Sequence, residues 1–166
     1  TWLGRLEREQ LAVVRMSDGQ VLNKVTPSVE AGFHRGVLLA RSEMNVVFHF
    51  QSRFATAFAC AAKPVVDFNV IPEIPYYIGE IGWVDYLAPG SPELADEVIR
   101  VMRGCDLAFM RNHGLVTVGK DFDDALQKAA FFELACEILA SGVKTAPLTP
   151  DAAAALRNKG QSARKI

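Results

Sequence analysis

Apolar and polar positions change their spacing from segment to segment, and this spacing predicts alternating strands and helices. Residues 11–22 hold two apolar runs on either side of a Ser-Asp-Gly-Gln turn, which predicts a β-hairpin. A Thr-Pro pair then supplies the capping hydroxyl and the N1 proline of a helix over 27–41. The short Val- and Phe-rich segment 45–51 predicts a strand, and Ser52 is placed to cap a helix that continues to residue 61.

The alternation continues through the second half of the chain. Prolines mixed with β-branched residues over 63–78 favour an edge strand, followed by a loop that runs to Gly90. Ser91 offers a cap directly before a proline and an acidic first turn, which is typical of a helix start. The elements predicted after it are a helix over 91–104, strands over 107–110 and 115–118 joined by a tight turn, and a helix over 121–140 capped by Asp121.

Beyond residue 141 the sequence becomes small, polar and basic, which predicts a tail with one short helix that begins near Pro150. The chain shows no internal repeat and no phosphate-loop glycine pattern. We therefore expect residues 1–141 to form a single domain in which helices pack against a sheet, either α/β or α+β, and residues 142–166 to form a basic C-terminal tail.

Composition and charge exclude several classes of partner. The 166 residues carry 18 Lys and Arg against 19 Asp and Glu, and a net charge of −1 gives no electrostatic reason to bind nucleic acid or a membrane surface. The apolar stretches are too short to cross a bilayer. The three cysteines are far apart and form no Cys-x-x-Cys pair, which favours reduced thiols and a cytoplasmic location.

The three histidines are the first candidates for chemistry. His49 and Gln51 are two apart on a predicted strand, so their side chains share a face and could reach one ion or ligand; the alternative is a histidine that only packs. His113 lies in an Asn-His-Gly turn, where it either makes the turn or projects its ring to ligate zinc. His34 sits beside Phe33 on a helix that already has a packing face, so core packing is expected.

Three further residues have both a structural and a functional interpretation. Glu30 lies in a predicted first turn, where the helix dipole favours a carboxylate, and it would serve as a general base only in a cleft. Ser28 lies at a helix N-terminus, where a hydroxyl and backbone N–H groups can hold a phosphate or carboxylate. Tyr76 belongs to an aromatic, proline-interrupted loop that suits either interface packing or proton donation.

Taken in order, five segments between about Leu11 and Ala140 resemble motifs of the class II aldolase/adducin family, the group of fuculose-phosphate aldolases and ribulose-phosphate epimerases. The segments are Thr26-Pro27-Ser28-Val29-Glu30, Asn45-Val46-Val47-Phe48-His49-Phe50-Gln51, Ala88-Pro89-Gly90-Ser91-Pro92-Glu93-Leu94-Ala95, Arg111-Asn112-His113-Gly114 and Val118-Gly119-Lys120-Asp121.

The resemblance implies a three-layer α-β-α fold of the α/β class, with a central, mainly antiparallel sheet, and a homotetramer with active sites between subunits. It implies zinc or another divalent ion, with His49, His113 and Gln51 as the altered ligand set and Ser28 as a substrate contact. It also implies that Glu30 moves a proton at the substrate carbon or shares the metal site, and that Tyr76 is the aromatic donor near the leaving group.

The chain departs from the family pattern at two of these positions. Gln51 stands where the family's strand has a second histidine, and a carboxamide oxygen is a weaker and harder ligand than imidazole, so zinc affinity is expected to fall. Val29 stands where the family has a second phosphate-contacting serine. The family's front segment, which adds an Asn and a Thr-Gly phosphate clamp, is not among these residues, so we expect weak phosphate recognition.

Three hypotheses follow from the resemblance. The first is a divalent-metal-dependent, aldolase-like lyase that cleaves or forms a carbon–carbon bond in a small hydroxy-carbonyl or sugar-derived substrate through a metal-stabilised enediolate. The second is a non-catalytic, adducin-like oligomeric scaffold. The third is a decarboxylase or epimerase on the same fold, because a fold does not fix the reaction.

Overall fold

In the computed structural model, which describes residues 3–62 and 67–164, the described residues form a four-stranded mixed sheet with helices on both faces. The strand order is β1-β4-β3-β2; β4 pairs antiparallel with β1 and β3, and β2 pairs parallel with β3. The sheet is therefore mainly antiparallel, as expected. The strands are β1 Val46–Phe50, β2 Ile81–Val84, β3 Leu107–Met110 and β4 Gly114–Gly119, and the helices are α1 Ala31–Ala40, α2 Arg53–Ala59, α3 Pro92–Met102, α4 Phe122–Ala140 and α5 Pro150–Arg164.

The alternation of side chains along the central strands creates two hydrophobic cores. Successive residues of a strand point to opposite faces, so Ala108 and Met110 pack with α1 and α3, whereas Leu107 and Phe109 pack with α2 and α4. Both central strands, β3 and β4, are buried along their whole length because helices cover both faces. This is the three-layer arrangement expected of the fold.

Two helix starts follow the predicted capping chemistry, whereas those of α1 and α2 do not. Ser91 accepts a hydrogen bond from the Leu94 N–H and Asp121 accepts one from the Asp124 N–H, as predicted. Ser52 stands at the N-cap of α2 but does not cap it. The Glu133 carboxylate of α4 accepts instead from the N–H groups of Phe54 and Ala55, both at 2.8 Å, so a neighbouring helix supplies the cap.

The first long helix begins later than predicted. α1 starts at Ala31 rather than at residue 27, and Glu30 is its N-cap instead of a first-turn residue. Ser28 explains the delay, because its hydroxyl accepts from the Glu30 N–H at 3.2 Å and its carbonyl accepts from the Ala31 N–H at 3.0 Å. Such local side-chain bonds offer the backbone a turn in place of a helix.

The edge strand lies elsewhere than predicted. Residues 63–66 of the predicted strand lie outside the described residues, and the described residues 67–78 contain no strand but end in one π-helical turn, Ile74–Ile78. The strand is β2, within the predicted loop. Gly82 allows β2 to approach α3 closely, since a Cβ there would lie 2.5 Å from Val101 Cγ1. Parallel pairing with β3 is a non-local contact that no local pattern reports.

The ends of the described chain contain the predicted hairpin and tail helix. The hairpin is limited to one antiparallel bridge, Val14 to Val21, closed by a turn in which Gly19 has φ +80°. α5 begins at Pro150, extends for 15 residues and packs against Ile74–Ile78. The division into a domain and a tail stays a prediction. None of the described helices has the length and apolar character needed to cross a bilayer.

Candidate metal centre

Three separate elements bring Glu30, His49 and His113 to one point. Glu30 occupies the N-cap position of α1, His49 lies in β1, and His113 lies in the turn between β3 and β4. The antiparallel register of β1 with β4 pairs His49 with Val116, so the strand end that carries His49 lies beside the turn that carries His113. α1 packs on that face of the sheet through Phe33 and directs its N-terminus to the same place.

The three side chains are close enough to bind one ion. Glu30 Oε1 lies 3.2 Å from His113 Nε2, and Glu30 Oε2 lies 3.5 Å from His49 Nε2. The two imidazole rings have centroids 5.0 Å apart and planes at 78°. One ligand atom from each residue falls within 4.8 Å of the others. The side chains are only 12 to 18% exposed, so water competes weakly for these atoms.

The His49 ring is oriented by a hydrogen bond on its far side. His49 Nδ1 lies 2.8 Å from the carbonyl oxygen of Leu115, and a carbonyl can only accept, so we assign the proton to Nδ1. The lone pair of Nε2 then faces Glu30. A carbonyl on the distal nitrogen is the usual support of a metal-binding histidine, because it fixes both tautomer and ring plane.

Burial keeps two of the histidines neutral. Burial lowers the pKa of His113; the negative charge of Glu30 opposes this and His49 adds to it. His34 lies behind the site, stacked on Phe33 with ring centroids 4.5 Å apart, and burial, assisted by His49, lowers its pKa to about 4. His34 therefore packs on Phe33 from a half-buried position, and its membership of the core stays a prediction, whereas a neutral His113 offers a lone pair.

These residues fit a divalent cation. Two neutral imidazole nitrogens and one carboxylate make up a ligand set found in catalytic zinc and non-haem iron sites. Among the described residues, Glu30 Oε1 is buried with no hydrogen-bond partner, which is costly for a carboxylate oxygen unless a cation or proton lies against it. A cavity of about 200 Å³ borders Glu30 and Phe33 and extends to the start of α3, which leaves room for a small molecule.

The other predicted site residues, Ser28, Gln51 and Tyr76, lie at different distances from the candidate metal centre. Ser28 adjoins Glu30 through the hydrogen bond to its N–H. Gln51 donates its side-chain amide to the carbonyl oxygen of His113 at 2.6 Å; its role as a ligand stays a prediction. Tyr76 lies in the turn before the start of β2, and this strand start pairs with Leu107, at the opposite end of the sheet from the His113 turn. The chain by itself thus does not bring Tyr76 to the other residues.

Sequence reasoning missed two supporting residues. Leu115 contributes only a backbone carbonyl, which no sequence pattern reports. Gly114 is different, because a Cβ at this position would lie 2.8 Å from the Phe50 carbonyl oxygen and 3.2 Å from His49 Cε1. The glycine after His113 was therefore a usable signal of close approach between the turn and β1.

Comparison with known proteins places the chain in a family. Residues 1–140 match the family described as the class II aldolase and adducin N-terminal domain, and the chain belongs to this family. It is 30% identical over 164 residues to a 3-oxo-tetronate 4-phosphate decarboxylase of Haemophilus influenzae, covering 96% of this chain and 78% of that protein. It is 33% identical over 131 residues to an L-fuculose phosphate aldolase of Methanococcus maripaludis, covering 79% of this chain and 69% of that protein.

Solved structures support the same fold. The chain superimposes on YgbL of Escherichia coli with a TM-score of 0.88 at 23% identity, covering 95% of this chain and 78% of that one. It superimposes on an L-fuculose 1-phosphate aldolase with a TM-score of 0.82 at 19% identity, covering 95% and 75%. The fold is therefore that of the class II aldolases, as the sequence motifs indicated.

Proposed function

We propose that this protein is a divalent-metal-dependent lyase that cleaves or forms a carbon–carbon bond next to a carbonyl group in a small hydroxy-carbonyl substrate. The observation that carries the proposal is the convergence of Glu30, His49 and His113 on one buried point beside a cavity. Family membership adds that related proteins are named as aldolases and decarboxylases of sugar-derived phosphates. The ion itself, zinc or another, is part of the proposal.

Each residue of the centre has a distinct task. His49 and His113 would hold the ion through their Nε2 atoms, together with Glu30. A bound divalent cation supplies Lewis-acid stabilisation of negative charge on the substrate oxygens. Glu30 would hold and move a proton at the substrate carbon, because it is among the residues that line the cavity and its side chain is only 12% exposed. Phe33 forms an apolar wall, with its ring nearly perpendicular to that of His49 at 85° and the two ring centroids 6.0 Å apart.

The proposed bond cleavage needs little beyond these groups. Glu30 would take the proton of a substrate hydroxyl as the carbon–carbon bond breaks, and the bonding electrons pass to the carbonyl side as an enediolate. Glu30 then returns a proton to carbon. Tyr76 would assist at the leaving group only if a neighbouring subunit brings it to the site, so its predicted role and the predicted homotetramer belong together.

Decarboxylation is the second candidate, and one observation favours it. The match to the 3-oxo-tetronate 4-phosphate decarboxylase covers 96% of the chain and extends past the family domain, whereas the aldolase match covers 79%. Loss of CO₂ from a 3-oxo acid leaves the same kind of enolate as aldol cleavage, so the same residues serve both reactions. An adducin-like scaffold needs no such buried carboxylate between two histidines.

Substrate phosphate and cellular location complete the proposal. Val29 is 77% exposed beside Glu30 and offers no hydrogen-bond donor from its side chain, which supports weaker phosphate binding than a serine would give. We therefore include unphosphorylated sugars and hydroxy acids among the small-molecule substrates. In the described structure no disulfide joins Cys60, Cys105 or Cys136, which supports the proposed cytoplasmic location.

The test begins with metal content and then turns to products. Protein purified without chelator is assayed for bound metal, and the melting temperature is measured with added zinc, manganese or cobalt. Glu30→Gln and His49→Ala should lose the metal-dependent rise, whereas the matched control His34→Gln should keep it. A panel of sugar phosphates, free sugars and 3-oxo acids then separates aldehyde release from CO₂ release. Absence of metal binding, or activity that survives Glu30→Gln unchanged, would refute the proposal.

A further inference from the structure

We propose that Gln51 is a positioning residue that holds the His113 turn by donating to its backbone carbonyl, in place of the ligand role that the family resemblance implies. The inference concerns the metal centre and rests on the proposed function for its catalytic meaning. Its basis is the hydrogen bond from Gln51 Nε2 to the His113 carbonyl oxygen at 2.6 Å.

The two histidines of the centre are supported in different ways. His49 is held through its ring, because Nδ1 bonds the Leu115 carbonyl oxygen at 2.8 Å. His113 has no such support, since its Nδ1 is buried without a hydrogen-bond partner among the described residues. The direction of the His113 ring therefore depends on the backbone that carries it, and the Gln51 amide is bonded to that backbone.

The backbone of the turn is fixed on its N–H side. Arg111, Asn112 and His113 donate their N–H groups to the carbonyls of Val84, Ala59 and Met110 at 2.9, 3.0 and 3.1 Å. Asn112 adopts the left-handed region with φ +54°, which few residues other than glycine do without cost. These bonds leave the His113 carbonyl to be fixed by Gln51.

Gln51 is itself held firmly enough to act as a clamp. The residue before it pairs with Leu115 in the sheet, and Ser52 after it donates its hydroxyl to Glu133 at 2.6 Å. Gly114 provides the space for its side chain, because a Cβ there would lie 2.9 Å from Gln51 Cγ. The absence of a side chain at Gly114 thus allows the Gln51 amide to reach the His113 carbonyl.

The two possible roles of Gln51 use different atoms and predict opposite results for one substitution. A carbonyl only accepts hydrogen bonds, so a positioning Gln51 must supply its N–H. A ligand would supply its oxygen. Gln51→Glu removes the N–H and places two oxygens against the carbonyl, yet a carboxylate is a better cation ligand than a carboxamide. The positioning role therefore predicts weaker metal binding in Gln51→Glu, and the ligand role predicts equal or tighter binding.

The first measurement uses metal-free full-length protein. Amide hydrogen exchange is followed in the turn 111–114 for wild type, Gln51→Glu, Gln51→Leu and the control Asn45→Leu. Asn45 makes the same kind of bond, from its Nδ2 to the Lys120 carbonyl at 2.9 Å, near the opposite end of the β1–β4 pair. We expect faster exchange in the turn for both Gln51 variants and wild-type exchange for the control. Unchanged exchange in both Gln51 variants would overturn the inference.

The second measurement is a titration with Co²⁺ followed by its visible absorption. Both Gln51 variants should bind about tenfold more weakly than wild type, the usual effect of losing a residue that supports a ligand. In a His113→Ala background the Gln51→Leu effect should disappear, because Gln51 acts through His113. Tighter binding in Gln51→Glu, or an undiminished effect without His113, would assign Gln51 as a ligand. If wild type binds no metal, the proposed function fails, and the exchange measurement still decides the role of Gln51.

Discussion

Acid should destabilise this protein through His34 well before most carboxylates protonate. The half-buried imidazole is stacked on Phe33, where burial and the nearby His49 disfavour its charged form and a backbone hydrogen bond at Val47 favours it. Its pKa is about 4 in the folded protein against an ordinary value of 6.5. The unfolded chain therefore binds a proton that the folded chain does not, and stability falls as the pH drops from about 6.5 toward 4.

The size of the effect follows from the two pKa values. With about 1.4 kcal/mol for each pH unit over which the protonation states differ, the free energy of unfolding should fall by about 2 kcal/mol at pH 5 and about 3 kcal/mol at pH 4, relative to neutral pH. The contribution is fully present above the unfolded value of 6.5, since both states are then neutral.

The assay compares wild type with His34→Gln, which cannot titrate. Urea unfolding of metal-free protein is measured between about pH 7.5 and pH 4, and the difference in free energy of unfolding between the two proteins is plotted. The titration of Glu43, Glu133 and other carboxylates is common to both proteins and cancels. Between neutral pH and pH 4, the free energy of unfolding of wild type should fall by about 3 kcal/mol more than that of His34→Gln. A difference that stays constant across this range would refute the burial argument.

Substitutions at three further positions test packing and capping. Lys128 is 1% exposed and its Nζ lies 3.1 Å from Asp106, so Lys128→Met should cost about 3 kcal/mol in urea unfolding; a cost within the error of the fit would contradict the buried pairing. Ser91→Ala should cost about 1 kcal/mol in the same assay by removing the cap of α3, and Ser91→Asp should restore it. Gly160→Val should detach α5 from Ile74–Ile78, because any Cβ at residue 160 meets the Tyr76 carbonyl. Unchanged amide exchange in α5 would show that the close contact between Gly160 and Tyr76 is not needed for α5 to pack.

The sequence predicted much of the fold because many of its signals are local. The caps at Ser91 and Asp121 and the start of α5 at Pro150 depend only on neighbouring residues, and the structure confirms them. The errors arose where distant residues decide. β2 exists because β3 lies beside it, and Glu133 replaces Ser52 as the cap of α2 from more than seventy residues away.

The candidate site likewise has features that follow from local sequence and features that depend on distant residues. Sequence motifs identified Glu30, His49 and His113 and the family to which the chain belongs, because those motifs lie within short stretches. The motifs did not specify distances. Only the folded chain brings a helix N-terminus, a strand and a turn within 4.8 Å, and only its register gives Gln51 the His113 carbonyl as a partner.

The amino-acid sequence alone determined most of the helical and extended segments, the family and the identity of the chemical groups. Tertiary structure decided which groups meet, that His34 stacks on Phe33 while His113 faces Glu30, and that Tyr76 lies at the other end of the sheet. The physical reason is that capping and periodicity act over a few neighbouring residues, whereas strand pairing and burial join residues that are far apart in the chain.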